Sequence, residues 1–322
     1  MKEKILNILL KNKSTYTSGE FLSGQLNISR AAIWKHIKSL REDGYTIESY
    51  PRKGYKLITS ANLLTKEEIS PYLKTKFIGR NLLHFDTIDS TNTKAKELWR
   101  DLENGTLIVS EFQKSGRGRL GRPWCSSPRK NILCSIVLKP NMDIKEIPKV
   151  TSLVAAVLYK TFNDFSIDVK IKWPNDLFLN SKKIAGILTE MSGDMDSINY
   201  LIIGIGININ STLTDFNEEI NKIATSLNIE YGHEFSRQEF LAKFLNNFEE
   251  FWTNFTNGNF KEALTICREN SNIINKDVLL ISRGVSESVT VLNLNDDSSL
   301  LVLDSNNKEK TIFSGEISIR NL

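Results

Sequence analysis

Between residues 115 and 124 the chain reads Ser-Gly-Arg-Gly-Arg-Leu-Gly-Arg-Pro-Trp, three glycines set among three arginines. That alternation suits anion binding. Gly116, Gly118 and Gly121 let the backbone turn its N–H groups toward a phosphate or carboxylate, while Arg117, Arg119 and Arg122 add planar forks of charge-assisted hydrogen bonds. An isolated segment of this composition is also read as a mobile basic loop that touches any polyanion. Its flanks argue otherwise. A β-branched run, 106–113, enters it and an apolar run, 131–139, leaves it, so it is expected to connect strands of a folded sheet, with Pro123 and Trp124 suiting a lid. No Gly-Lys-Ser/Thr follows, which excludes a Walker loop.

Other polar groups are spaced to meet such an anion. Ser90, Thr91 and Asn92 stand at the start of an expected helix, after a strand-like run at 82–89, where small polar side chains either cap the helix or bind a ligand's polar head. Gln113 ends the following strand. Lys183 opens a strand beside the turn 180–182, where an ammonium reaches a phosphate or is simply solvated, and Asp176 lies one hairpin away. Gly204-Ile205-Gly206 is not a dinucleotide fingerprint, because 201–209 is a continuous isoleucine-rich strand without a helix start. Its glycines either admit a flat ligand or allow close packing of another element.

The first 60 residues form a different device. They carry 11 Lys/Arg against 5 Asp/Glu, a net of +6 in a chain whose total is +4, so the positive excess is confined there. Ile5, Ile8 and Leu9 give one helix an apolar face, and Ser18 caps a second. Ser29 caps a third, 30–43, with Ala32, Ile33, Ile37 and Leu40 turned inward. The expected DNA-reading surface is the helix start at Ser29, Arg30 and Ala31, with Trp34, Lys35 and Lys38, joined by Arg52 and Lys53 at the tip of a following hairpin. A winged helix-turn-helix explains this pattern; a helical protein-interaction domain with a solvated basic face is the alternative. A dimer presenting two such helices predicts an inverted-repeat operator.

The remaining chain narrows the options. Apolar residues make up 40% and charged residues 25%, ordinary for a globular protein of two or three domains. Cys125, Cys134 and Cys267, with His36, His84 and His233, show neither a disulfide framework nor metal-ligand spacing. The apolar run 5–10 is too short to span a bilayer and no signal-peptide cleavage pattern follows, so cytoplasm is the expected compartment, with no membrane partner.

Six segments in order, Ser-Arg-Ala-Ala-Ile-Trp-Lys-His-Ile (29–37), Asp-Ser-Thr-Asn (89–92), Gly-Arg-Gly-Arg-Leu-Gly-Arg (116–122), Lys-Trp-Pro-Asn-Asp (172–176), Lys-Ile-Ala-Gly-Ile-Leu (183–188) and Gly-Ile-Gly-Ile-Asn (204–208), resemble the bifunctional biotin-protein ligase and biotin operon repressor family. The resemblance covers nearly the whole chain. It implies an α+β protein: a winged helix at 1–62, a central mixed sheet flanked by helices at 63–272, and a small SH3-like barrel at 273–322. It also implies ATP-dependent activation of biotin to biotinyl-5′-AMP with Mg²⁺, and transfer to a lysine of a biotin carboxyl carrier protein. The adenylate would act as corepressor and the protein as a homodimer on operator DNA. By motif, Ser90, Thr91, Asn92 and Gln113 would hold biotin. Arg117, Gly118 and Arg119 would wrap the carboxylate and adenylate phosphate, and Arg122 the nucleotide phosphates. Lys183 would bridge carboxylate and α-phosphate, and Asp176 would orient the acceptor lysine. Leu120 departs from members with a basic residue there, and Trp34 puts a bulky ring on the reading helix. Two rival functions remain at this point: a metabolite-binding DNA sensor without catalysis, and a ligase for lipoate or another carboxylic cofactor.

Overall fold

The computed structural model describes residues 1–12, 15–194, 197–282 and 285–318; the end of the expected barrel, 319–322, lies outside them. Contacts divide the chain into two compact units, Met1–Tyr72 and Leu73–Leu322.

In the first unit, helices α1 (Lys2–Lys11), α2 (Gly19–Leu26) and α3 (Arg30–Glu42) precede a hairpin of β1 (Thr46–Tyr50) and β2 (Gly54–Thr59), and a short α4 (Lys66–Ile69) closes it. Local chemistry sets the helix starts. Ser18 Oγ accepts from Phe21 N at 3.0 Å and Ser29 Oγ from Ala32 N at 3.2 Å, each satisfying an amide that has no partner within its helix. Ile5, Leu6 and Leu9 of α1 meet Leu22, Ile33, Ile37 and Leu40, and the hairpin adds Ile47 and Leu57. Leu6, absent from the expected stripe, is buried, and Ile8 lies only at its edge. Gly54 needs its type: at φ +106 any Cβ would sit 2.1 Å from the Thr17 carbonyl, where Thr17 and Tyr55 pair their backbones.

The second unit is built on a seven-stranded sheet. Its strands are β3 (Leu82–Phe85), β4 (Thr106–Ser110), β5 (Ile132–Leu138), β6 (Lys170–Lys172), β7 (Asp176–Leu179), β8 (Lys182–Asp194) and β9 (Ser197–Ile207), in the order β3-β4-β5-β9-β8-β7-β6. Only β3 and β4 run parallel; the other neighbours are antiparallel. Alternation along β5 and β9 separates two faces. On one, Val137 and Ile202 pack under Ala95 of α5 (Thr91–Leu98). Elsewhere α6 (Ile147–Asp164) packs against the sheet and is itself covered by α9 (Arg237–Thr256), whose Phe240 ring meets Phe162 edge-on at 4.9 Å. Helices α7 (Glu218–Ile223), α8 (Leu227–Tyr231), α9 (Arg237–Thr256) and α10 (Lys261–Glu269) complete the helical part.

A five-stranded antiparallel sheet ends the chain, with β10 (Asp277–Ser282), β11 (Val285–Leu294), β12 (Leu300–Leu303), β13 (Glu309–Ile312) and β14 (Glu316–Ser318) in the order β13-β12-β11-β10-β14. Trp173 Nε1 donates to the Ser298 carbonyl at 2.9 Å, tying the Lys-Trp-Pro-Asn-Asp turn to this sheet. The architecture is the α+β arrangement expected from the sequence. Among the described residues no helix is long and apolar enough to cross a membrane.

Candidate active site

On the α5 face of the large sheet the strands carry small residues. Ser135 pairs in register with Gly204, and Gly204 with Leu188; Gly206 pairs with Gly186. This low floor forms a cleft lined by Ser90, Thr91, Asn92, Gln113, Arg117, Gly118, Arg119, Lys183 and Trp124, among others. Eight residues expected to bind one ligand thus converge from three separated parts of the chain.

The α5 end of the cleft is a closed network of neutral polar groups. Gln113 Oε1 accepts from Thr91 N at 2.7 Å and from Thr91 Oγ1 at 3.1 Å. Ser135 Oγ lies 2.7 Å from Thr91 Oγ1 and 2.6 Å from Asn92 Oδ1, with its single hydrogen shared between them, and Asn92 Nδ2 donates to Glu190 Oε2 at 2.8 Å. Ser90 sits at the cap position, almost fully buried, yet its side chain makes no cap bond. Ser135 and Glu190 were not expected from the sequence. Ser135 leaves one signal, a polar residue inside the otherwise apolar and wholly buried β5.

The glycines of β9 have a definite use. A Cβ on Gly204 would stand 2.2 Å from Asn92 Oδ1, and one on Gly206 2.5 Å from the Trp124 ring. Close approach of side chains therefore explains them here, and Trp124 covers Gly206 where a flat ligand was one expectation. The Trp124 Nε1 is buried without a protein hydrogen-bond partner.

The glycine-arginine segment is a hairpin of its own. Trp124 N donates to Gly116 O at 2.9 Å and Gly118 N to Arg122 O at 2.7 Å, while Leu120, at φ 55 and 79% exposed, forms the tip. Alternation sends the arginines to different places. Arg117 is exposed at the cleft, and Arg119 is half-buried, with Nη1 donating to Asn175 Oδ1 at 3.1 Å and Nη2 to Gly315 O at 3.3 Å. Burial pushes the Arg119 pKa down, and the carboxylates of Asp176 and Glu316 push it back up. Arg122 does not line the cleft; it grips Glu316 of β14 bidentately at 2.5 and 2.7 Å.

Opposite this hairpin, Lys183 Nζ lies 2.6 Å from Asp176 Oδ1 and 5.5 Å from the centre of the Trp124 ring. The two residues expected to serve separate steps are thus an ion pair. Asn175, beside them, is anchored through Nδ2 to Ile187 O at 3.1 Å and so carries Arg119 and the β8 strand together. Cys134 and Cys267 are buried, which pushes their thiols up to about 12 and removes them from nucleophilic chemistry.

In the first unit Arg30, Ala31, Trp34, Lys35 and Lys38 are exposed along α3, beginning at the cap Ser29, and Arg52 and Lys53 are exposed at the hairpin tip. Arg30 pairs with Glu20 of α2 at 2.9 Å, both side chains exposed, and Lys53 lies 4.7 Å from the Tyr50 ring centre.

Two family models match the chain: the HTH domain over residues 2–56, and the biotin/lipoate A/B protein ligase family over residues 84–208. The bifunctional ligase/repressor BirA of Bacillus subtilis is 33% identical, covering 99% of this chain and 98% of the relative. The chain belongs to the bifunctional ligase/repressor family. BirA of Escherichia coli is 30% identical, covering 97% of this chain and 96% of the relative. A biotin protein ligase from Aquifex aeolicus in complex with biotin and ATP matches with 30% identity and TM-score 0.65, covering 74% of this chain and 98% of that one. The ligase match runs from within β3 to the end of β9, and with it takes in every cleft residue named above; the C-terminal sheet lies beyond both family models.

Proposed function

We propose that this chain is a biotin–protein ligase that also represses transcription in response to biotin. The observation that carries the reading is the convergence of Arg119 and Lys183 on one glycine-floored cleft whose other end is a neutral polar network. A carboxylic acid with a polar head fits that division, its ring system toward Ser90, Thr91, Asn92 and Gln113 and its acid toward the cations. The buried, unpartnered Trp124 Nε1 and the Ser90 side chain, which makes no cap bond, offer further hydrogen bonds to it.

Amide formation from a free carboxylate would expel oxide, so the acid must first be activated. In the first step the biotin carboxylate forms a bond to the α-phosphorus of ATP and the bond to pyrophosphate breaks. Lys183 bridges the carboxylate and α-phosphate, and Arg117, Gly118 and Arg119 surround the developing charge with donors already in place. Arg122 serves the nucleotide phosphates after exchanging Glu316 for them. In the second step the amine of an acceptor lysine on a biotin carboxyl carrier protein attacks the acyl carbon and AMP leaves. Asp176 orients that amine once the anhydride has drawn Lys183 away from it. Mg²⁺ would come with the triphosphate and would screen its charge.

The same adenylate acts as corepressor, and a cytoplasmic homodimer presents two α3 helices to an inverted repeat. Ser29, Arg30, Ala31, Trp34, Lys35 and Lys38 would lie in the groove, and Arg52 and Lys53 on phosphates. Functionally the chain divides as 1–62, 63–272 and 273–322, the last an SH3-like barrel. Incubating the protein with labelled biotin, ATP and a carrier domain tests the ligase. Transfer of label is expected; tight retention without transfer would favour a sensor, and indifference to biotin a ligase for another acid. Footprinting with biotin and ATP present should protect two symmetric half-sites, and a single unsymmetric footprint would refute the dimeric reader.

Gly204→Ala places a methyl group 2.2 Å from Asn92 Oδ1, against the amide end of that side chain. Asn92 must then leave Ser135 and Glu190, so KM for biotin is expected to rise by about tenfold or more while the ATP dependence changes little. Steady-state pyrophosphate exchange at varied biotin checks this.

A further inference from the structure

The segment that carries Gln113, Arg117, Arg119 and Trp124 leaves β4 at Glu111 and re-enters the sheet at Asn131, and one side chain touches both points. Arg237 Nη1 donates to Glu111 Oε2 at 2.8 Å and to the Asn131 carbonyl at 3.0 Å. Around that nitrogen the two feet are cross-tied. Arg129 N donates to Glu111 O at 3.0 Å, Asn210 N to Lys130 O at 2.9 Å, and Asn131 Oδ1 accepts from Ile209 N and Ser211 Oγ at 3.1 and 3.0 Å. Arg237 is delivered there by a reciprocal pair: Asn210 Nδ2 donates to Phe235 O and Phe235 N to Asn210 Oδ1, both at 2.9 Å, just before the Ser236 cap of α9.

Local energetics do not account for this arginine. A cation in the first turn of a 20-residue helix opposes the helix dipole. Its side chain has no solvent exposure and that of Glu111 only 2%, so both ions lose their hydration, and well-packed hydrocarbon of the same volume would serve stability as well. What hydrocarbon lacks is direction. A donor bonded to both feet adds to the Arg129–Glu111 backbone bond in fixing the separation from which the hairpin rises, and with it where Gln113 and Arg119 stand over the cleft.

We propose that Arg237, acting through Glu111 and Asn131, is a positioning residue for the activation reaction: it holds the base of the glycine-arginine hairpin in the geometry that binds biotin and retains the adenylate. This rests on reading the cleft as the biotin and ATP site. Removing one partner alone strands a buried charge, so the decisive variant of the full-length chain is Glu111→Gln/Arg237→Met, which neutralises both at similar volume. Its thermal midpoint should stay within about 4 °C of the parent. In pyrophosphate exchange its KM for biotin should rise about tenfold with kcat nearly unchanged, and preformed biotinyl-5′-AMP should escape about tenfold faster. A purely structural pair would shift the midpoint and leave both constants alone. Arg237→Lys keeps the charge but not the fork, and intermediate values are expected from it. If the double variant fails to fold, parental KM and release in folded Arg237→Lys overturn the proposal, as they would in the folded double variant. Should the parent itself not exchange pyrophosphate with biotin, the ligase reading falls first and the positioning role with it.

Discussion

Lys183→Ala is expected to slow biotin-dependent pyrophosphate exchange by about 10²–10³-fold, or about 3–4 kcal/mol of transition-state stabilisation, with little change in fold. The size follows from where the ammonium stands. It enters the cleft from the first residues of β8, after a turn in which Asn180 and Ser181 both hold positive φ, and the Lys183 carbonyl is pinned by Thr225 N at 2.9 Å. A donor held this way needs no reorganisation when charge builds on the phosphate. Removal also has a second effect. Asp176, 2.6 Å from Nζ, would lose its ion-pair partner beside the cleft, and its charge would oppose both carboxylate and nucleotide. Lys183→Ala/Asp176→Asn should therefore exchange faster than Lys183→Ala alone, by about tenfold, because residues in direct contact do not contribute additively. Exchange at the parental rate in Lys183→Ala would remove the lysine from the mechanism.

What the sequence discloses about this site and what it hides divide along the range of the interactions. Ser18 and Ser29 cap their helices through bonds three residues long, and both are readable from residue type and spacing. The glycine-arginine alternation likewise announces an anion grip, and the order of the motifs places Lys183 and Ser90 in the same family of folds. Which arginine faces the cleft is not local information. Arg122 turns to Glu316, 194 positions away, and Arg119 to Asn175, 56 positions away. The β9 glycines show the same limit, since their reason is the side chains of Asn92 and Trp124 lying on them, supplied by two other parts of the chain. Arg237 reads in sequence as the first residue of a helix that closes the domain, and only burial against Glu111, 126 positions earlier, gives it a use. Ser135 was hidden for the opposite reason: a single serine in a buried strand is common, and its two bonds to Thr91 and Asn92 exist only when α5 lies across the sheet.

The contrast between neighbouring arginines gives the second large effect. Arg119→Ala is expected to cost roughly 10²-fold in adenylate formation, whereas Arg122→Ala should cost no more than about tenfold. Arg119 is half-buried and, among the described residues, bonded to neutral oxygens, those of Asn175 and Gly315, while desolvation already weighs against its charge. An incoming carboxylate or phosphate would be its first direct anionic partner, and in a partly desolvated cleft that contact is stronger than at the surface. Arg122 is 64% exposed and already holds Glu316 with both terminal nitrogens, so it reaches a phosphate only by giving up an existing pair. Much of its gain is thereby offset. Single-turnover adenylate formation, followed for both variants at saturating ATP, measures the difference. Equal losses would mean that Arg122 leaves Glu316 at no cost and shares the grip equally. A larger loss for Arg122 would reverse the assignment and make the exposed guanidinium, swung inward on binding, the principal cation of the hairpin.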